Sequence, residues 1–258
     1  MKTLVSILTF LSLSSAHAIV GGRPVTDGSF RQSVALVFKN SASESQGEAY
    51  CSGTLLNAKY VITAAHCLVL GAKQFKLTTD EFQKRTWIYV GDSQVESTRP
   101  LLPAQFQTVR FFMPPQNDSI FSDLAVLELN EAVDLQHYQI QIAPLAVADK
   151  SMIGRELIHV GYGMTDNQGP KGTKSLMSLP LRSLNGYDGL QVGEYQRSGP
   201  SACHGDSGGS AYLIDQDGVL KFIGVENAIS NHPCGTAATY FVPITAQILQ
   251  WLGTITKI

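Results

Sequence analysis

Within the run Cys203, His204, Gly205, Asp206, Ser207, Gly208, Gly209, one hydroxyl, one acid and three glycines crowd into seven residues. A core strand has no use for such a composition. Glycines open backbone conformations closed to bulkier residues and let N–H groups approach a reacting atom. A serine hydroxyl is a poor nucleophile until a neighbouring base removes its proton, so Ser207 demands a base elsewhere in the chain. His66 is a candidate: the apolar stretch Tyr60, Val61, Ile62 and Thr63 runs through Ala64 and Ala65 to this imidazole, with Cys67 behind it. Asp123 is another candidate group, standing immediately before the apolar strand Leu124, Ala125, Val126, Leu127, Glu128, Leu129. Taken singly, these are a surface turn, a structural histidine and a strand-end cap. Together they suit serine-based nucleophilic catalysis.

The segments that must position these groups are short and strand-like. Val34 to Val37 is β-rich, a polar loop covers Asn40 to Gly47, and Cys51 to Leu56 and Tyr60 onward read as further strands. Residues 70–110 carry the weakest signal, with Pro100, Pro103 and strand-like pieces around Trp87 to Val90 and Gln107 to Phe112. Beyond the polar stretch Asn117 to Ser122, Leu157 to Tyr162 reads as a strand and Asp166 to Lys174 as a Gly/Pro/Lys loop. Phe222 to Val225 and Thr239 to Val242 are strands on either side of Cys234. Ile244, Ile248, Trp251, Leu252 and Ile255 have helical spacing, and Thr245 after Pro243 suits an N-cap. The expectation is one C-terminal helix on an otherwise β chain. Short strands, frequent turns and 23 glycines favour barrels or a sandwich over an α/β fold.

At 258 residues and 44% hydrophobic content the chain is long enough for one or two packed units. A formal charge of −2 gives no case for nucleic acid or an anionic membrane surface as partner. Residues 1–18 read as a secretory signal: Lys2, an apolar run from Leu4 to Leu13, and a small-x-small site at Ala16, His17, Ala18. That places the mature chain outside the cytoplasm, secreted to a periplasm or beyond, where four cysteines form two bridges in any of three pairings. No cofactor motif is seen, and no metal cluster stands at ligand spacing, although a loop calcium site stays open. Cleavage after Ala18 would free Ile19, followed by Val20, Gly21 and Gly22. Cleavage after Ala16 would leave His17 and Ala18 attached as a dipeptide.

With Thr63-Ala64-Ala65-His66-Cys67, Asp123-Leu124-Ala125-Val126-Leu127 and Gly205-Asp206-Ser207-Gly208-Gly209 in that order, the mature chain resembles the chymotrypsin-like serine peptidases. The Ile19-Val20-Gly21-Gly22 start, Gly161-Tyr162-Gly163 and the terminal helix share the resemblance. It implies an all-β fold of two six-stranded antiparallel Greek-key barrels packed together, with a C-terminal helix. The N-terminal barrel would cover about 19–140, and the second barrel and helix about 141–258.

The resemblance also implies roles: His66, Asp123 and Ser207 as catalytic triad, the N–H groups of Gly205 and Ser207 as oxyanion hole, and bridges Cys51–Cys67 and Cys203–Cys234. A freed Ile19 amine would pair with Asp206, so that export itself activates the enzyme. Ser201, Ala202 and Ala238 would line the specificity pocket, uncharged at its base, and Glu226 is the one acid nearby. The Gly224 to Cys234 segment lacks the family's Ser-Trp-Gly, with Asn227, Ala228 and Ile229 near its place. Expected partners are protein or peptide substrates and proteinaceous inhibitors, with no cofactor and a monomeric chain. The alternative is a secreted binding protein that kept the fold without activity. A serine esterase of another fold would want the order Ser, Asp, His, which this chain does not have.

Overall fold

The computed structural model describes residues 18–257 except 42, 92–94, 96–104, 115–122, 186–188 and 231–232. The expected signal up to His17, Pro100, Pro103 and the stretch 117–122 lie outside the described residues.

The first barrel is built from β2 (Ser33–Phe38), β3 (Glu48–Leu55), β4 (Tyr60–Thr63), β5 (Thr86–Tyr89), β6 (Gln105–Phe112) and β7 (Ala125–Leu129). It closes in the order β2-β3-β4-β7-β6-β5, all pairs antiparallel. β4 therefore pairs with the much later β7, a Greek-key crossover that places the segment after β4 beside the segment before β7. Those two segments carry His66 and Asp123. Closure leaves no exposed sheet edge, and Val34, Leu36, Val61, Ile88, Ala125 and Leu127 fill the interior.

The second barrel uses β8 (Glu156–Gly161), β9 (Ser175–Asn185), β10 (Gly189–Val192), β11 (Ser210–Ile214), β12 (Leu220–Ile229) and β13 (Thr239–Pro243). It closes as β8-β9-β10-β13-β12-β11, with the two-residue β1 (Arg23–Pro24) added on β9. Leu157, Leu190, Val192, Ile223 and Phe241 pack inside it, joined by Ile19. A third apolar cluster joins the barrels: Ile62, Leu124 and Val126 of the first meet Val160, Tyr212, Phe222 and Val242 of the second. Buried hydroxyls stitch the same seam, with Ser33 2.8 Å from Ser210 and 2.9 Å from the Tyr212 hydroxyl. The expected two-barrel fold is observed.

α3 (Ala246–Thr256) is the expected terminal helix: the Thr245 side chain accepts the Ile248 N–H, and Ile248 and Leu252 pack into the seam. The expectation of a single helix is corrected by α1 (Ala65–Gln74) and α2 (Thr79–Lys84). His66 thus sits in the first turn of a helix, not in a turn of small residues. Leu68 and Ala72, one helical turn apart, bury this helix on the first barrel. α2 begins with a capping box, Thr78 accepting the Glu81 N–H while the Glu81 carboxylate accepts the Thr78 N–H. β9 and β11 also lay outside the strands expected from sequence. β9 contains Pro180, and β11 starts directly behind the glycine loop, so neither shows a clean run of strand formers.

Candidate active site

The loop from Cys203 to Gly209 enters β11 through conformations that its glycines permit. Gly205 has φ +99° and Gly208 φ +84°, in the left-handed region that side chains avoid. Gly208 is doubly constrained, because a Cβ there would lie 2.0 Å from the Thr63 hydroxyl. Backbone bonds fix the loop: Asp206 N–H donates to Cys203 O at 3.0 Å and Gly209 N–H to Asp206 O at 2.8 Å. β12 holds it from one side, Gly208 N–H donating to Glu226 O and Glu226 N–H to Gly209 O, each at 2.8 Å.

Ser52 on β3 holds the loop from the other barrel. Its N–H donates to Ser207 O at 2.8 Å, its hydroxyl donates to Gly205 O at 2.9 Å, and the same hydroxyl accepts the Tyr162 N–H at 2.9 Å. The Thr63 hydroxyl in turn donates to Ser52 O at 2.7 Å.

His66 and Asp123 meet across the crossover. The His66 backbone N–H donates to Asp123 Oδ1 and its Nδ1 donates to Oδ2, both at 2.7 Å. The second bond places the imidazole proton on Nδ1 and leaves Nε2 a lone pair, the form that a general base requires. Asn227 Nδ2 also donates to Oδ2, at 2.6 Å. Burial alone would raise the Asp123 pKa, but bonds and charge from His66, with Asn227, outweigh it and hold the carboxyl below its ordinary value. His66, Gly205 and Ser207 face one shared cavity of about 290 Å³.

Asp206 points away from that cavity into the second barrel. Its carboxylate accepts the Gly163 and Cys203 N–H groups, each at 2.8 Å, and burial pushes its pKa up to about 7 against those bonds. Ile19 is fully buried, and Val20 pairs with Ser201 in a two-residue bridge. In the uncut chain the Ile19 nitrogen is an amide, so it brings no charge to Asp206.

Ser201, Ala202 and Ala238 are drawn together. The Ser201 hydroxyl donates to Ala202 O at 3.1 Å and accepts the Gly235 N–H at 2.7 Å. Ala202 N–H donates to Thr239 Oγ1 at 3.0 Å, next in sequence to Ala238. All three expected pocket residues are buried. Glu226 is buried too, at 2% exposure, and its Oε2 has no hydrogen-bond partner. Burial first, then the Asp206 and Asp123 carboxylates, push its pKa well up, while the Ser207 side chain opposes them by hydrogen bonding.

Both implied disulfides are formed, Cys51–Cys67 and Cys203–Cys234. The first ties β3 to the residue after His66, and the second anchors the start of the Cys203–Gly209 loop. Sequence reasoning did not find Ser52 or the contact of Asn227 with Asp123. No local pattern marks either, since their partners lie 153 and 104 residues away. Among the described residues no group of three His, Cys, Asp or Glu side chains could hold a metal ion, and no helix is long and apolar enough to cross a membrane.

Comparison with known proteins agrees with this architecture. The family model described as Trypsin matches residues 19–252. "Serine protease SP24D" of Anopheles gambiae is 26% identical over 244 residues, covering 92% of this chain and 80% of that protein. "Chymotrypsin-like elastase family member 1" of Homo sapiens is 26% identical over 257 residues, covering 92% of each. "Phenoloxidase-activating factor 3" of Holotrichia diomphalia is 23% identical over 227 residues, 77% of this chain and 60% of that protein. With a family model spanning both barrels and the segments of His66, Asp123 and Ser207, the chain belongs to the trypsin family and is a serine-type endopeptidase.

Proposed function

We propose that this protein cleaves peptide bonds through Ser207, His66 and Asp123, and that the mature enzyme begins at Ile19 after export. The observation that carries the reading is the His66–Asp123 pair, bonded twice and facing the same cavity as Ser207 and Gly205. In this mechanism Ser207 Oγ attacks the scissile carbonyl while His66 Nε2 takes its proton. The imidazolium that forms is stabilised by Asp123, which keeps its charge because Asn227 and the His66 N–H also bond it. His66 then returns the proton to the departing amine, leaving an acyl ester on Ser207, and water repeats the cycle to release the acid. The N–H groups of Gly205 and Ser207 hold the oxyanion, a contact worth about 3 kcal/mol per donor.

Asp206 supplies the link to the N-terminus. A buried carboxyl pushed up to about 7 lacks a cation, and a freed Ile19 amine, arising in the same barrel, would provide one. Residues 1–18 are read as the export signal whose removal creates that amine. The preference is for an uncharged residue before the cleaved bond. Ser201 spends its hydroxyl proton on Ala202 O, and burial with the Asp206 carboxylate pushes the Glu226 carboxyl well above its ordinary range, which disfavours a charge there. The two barrels form a single catalytic unit, about 19–140 and 141–258, acting outside the cytoplasm as a monomer.

A panel of peptide anilides differing only in the residue before the cleaved bond, run beside Ser207→Ala, tests this. Cleavage after Phe, Leu or Ala that vanishes in the variant supports both parts. Cleavage after Lys or Arg retains the triad and overturns the pocket assignment. No cleavage by protein shown to start at Ile19 favours the inactive binding protein.

A further inference from the structure

Glu226 is a buried carboxyl that touches Ser207 and that the mechanism above leaves without a task. β12 seats it there: its N–H donates to Gly209 O and its carbonyl accepts the Gly208 N–H, each at 2.8 Å, so the residue lies across from the glycines that follow Ser207. The side chain stays inside, at 2% exposure, and its carboxyl hydrogen-bonds the Ser207 side chain. Oε2 is buried without a hydrogen-bond partner. A carboxylate leaves such an oxygen at heavy cost, because a buried charge needs several partners, whereas the protonated acid leaves only a carbonyl oxygen unpaired.

The charges that face it are of its own sign. Burial, then the Asp206 carboxylate on the loop, then that of Asp123 at the barrel seam push the Glu226 pKa well up. The Asp123 carboxylate is itself bonded twice by His66. On β13 Glu226 pairs with Phe241, whose ring meets the His159 imidazole of β8 edge-on at 5.1 Å, and that imidazole is pushed down to about 4 and is neutral at pH 7. β11, β13 and β4, strands that pack on β12, bring hydroxyls of Ser210, Tyr212, Thr239, Tyr240, Tyr60 and Thr63 and no charged side chain. In the proposed cleaved form the Ile19 amine would offset the Asp206 charge, leaving burial and Asp123 to act.

Ser207 holds one hydroxyl proton, and His66 Nε2 and a Glu226 carboxylate compete for it. A carboxylate only accepts, and it makes the stronger, charge-assisted bond. A protonated carboxyl instead donates to Ser207 Oγ and leaves the hydroxyl proton for His66. We infer that Glu226 is a proton gate on Ser207: with its proton it completes a chain of hydrogen bonds from Glu226 through Ser207 to His66, and without it it draws the hydroxyl away from the base. This rests on Ser207 and His66 acting as proposed above. Proteolysis is then confined to the pH window in which His66 has lost its proton and Glu226 has kept one. Loss of the Glu226 proton slows Ser207 roughly 10–150-fold, the effect of one bond to a charged group.

The rate at which a small alkyl phosphonofluoridate labels Ser207 tests this, read by intact mass from about pH 5 to about pH 9 in protein starting at Ile19. Ser207 Oγ attacks phosphorus, fluoride leaves, and the hydroxyl proton passes to His66. The probe carries no residue for the specificity pocket, and its first-order rate constant does not depend on how much of the protein is active. Glu226→Gln keeps the shape and a donor, as the protonated carboxyl does, but cannot ionise, and Glu226→Leu removes the hydrogen bond altogether. Either variant suffices if the other does not fold. The wild-type rate is expected to rise and then fall across this range while the variants hold theirs, so that the variant-to-wild-type ratio grows at least tenfold toward high pH. Loss of the Ile19 amine's proton is common to all three proteins and cancels in this ratio. A constant ratio, or folded variants that label at no pH, overturns the gate while labelling of wild-type Ser207 stands. Absence of wild-type labelling at every pH overturns the catalytic assignment and the gate with it.

Discussion

At the residue scale, the chemistry is concentrated in groups whose types are dictated by the reaction. Replacing Ser207 or His66 with Ala is expected to lower kcat by ~10⁴–10⁶-fold. Asn227 donates to Asp123 at 2.6 Å, and in the proposed mechanism it would act through that carboxylate as a positioning residue. Asn227→Ala is expected to reduce kcat about 10–150-fold with little change in KM, the effect of losing one bond to a charged group. Steady-state kinetics over a pH series checks this, and a change confined to KM would contradict it. His66, Asp123 and Ser207 stood out as candidates because their motifs occur together in order, although each alone has a structural reading. Asn227 did not, because an amide bonds whatever the fold brings to it. Glu226 could be placed near the site by sequence, but its hydrogen bond with the Ser207 side chain follows from how β12 lies against the Cys203–Gly209 loop.

At the scale of elements, the site is a meeting of two barrels, and β3 bridges them through Ser52. Its hydroxyl serves both Gly205 O and the Tyr162 N–H, so Ser52→Ala leaves two inward-facing backbone groups without that partner. The expected loss is ~1–3 kcal/mol of unfolding free energy, with reduced activity as Gly205 loosens, measurable by urea unfolding beside the anilide assay. Thr78→Ala removes one half of the α2 capping box and is expected to cost about 1 kcal/mol. β4 and β7, next to His66 and Asp123, were readable from apolar runs of strand length, whereas β11 behind Ser207 was not. The helix pair was not readable either, because Ala64 to Leu70 is apolar without a clear period. The Thr78-x-x-Glu81 spacing was the one local signal of a helix start, and it lay in the stretch with the weakest pattern.

At the scale of the whole molecule, the proposed activation would link the N-terminus to the Cys203–Gly209 loop through Asp206. Before cleavage its pKa is pushed from 3.8 up to about 7, so the folded chain binds a proton that the unfolded chain releases. That contribution is fully present below about pH 4 and is lost as pH rises through 7. In the proposed cleaved form a paired amine would favour the carboxylate, and the loss would disappear. The uncut chain carrying Ser207→Ala is therefore expected to fall behind the chain starting at Ile19 by a few kcal/mol between pH 4 and 7. His159, whose buried imidazole is pushed down to about 4, is common to both forms and cancels in the difference. Parallel pH curves for the two forms would contradict the ion pair.

The central claim is that His66 makes Ser207 a nucleophile, and this can be tested without knowing the preferred substrate. Protein starting at Ile19 is treated with a phosphonofluoridate, which phosphonylates activated serines, and the adduct is located by peptide mass spectrometry. The account predicts one adduct, on Ser207, formed rapidly and lost in His66→Ala. No adduct, or labelling of Ser207 that is equally fast without His66, would contradict it.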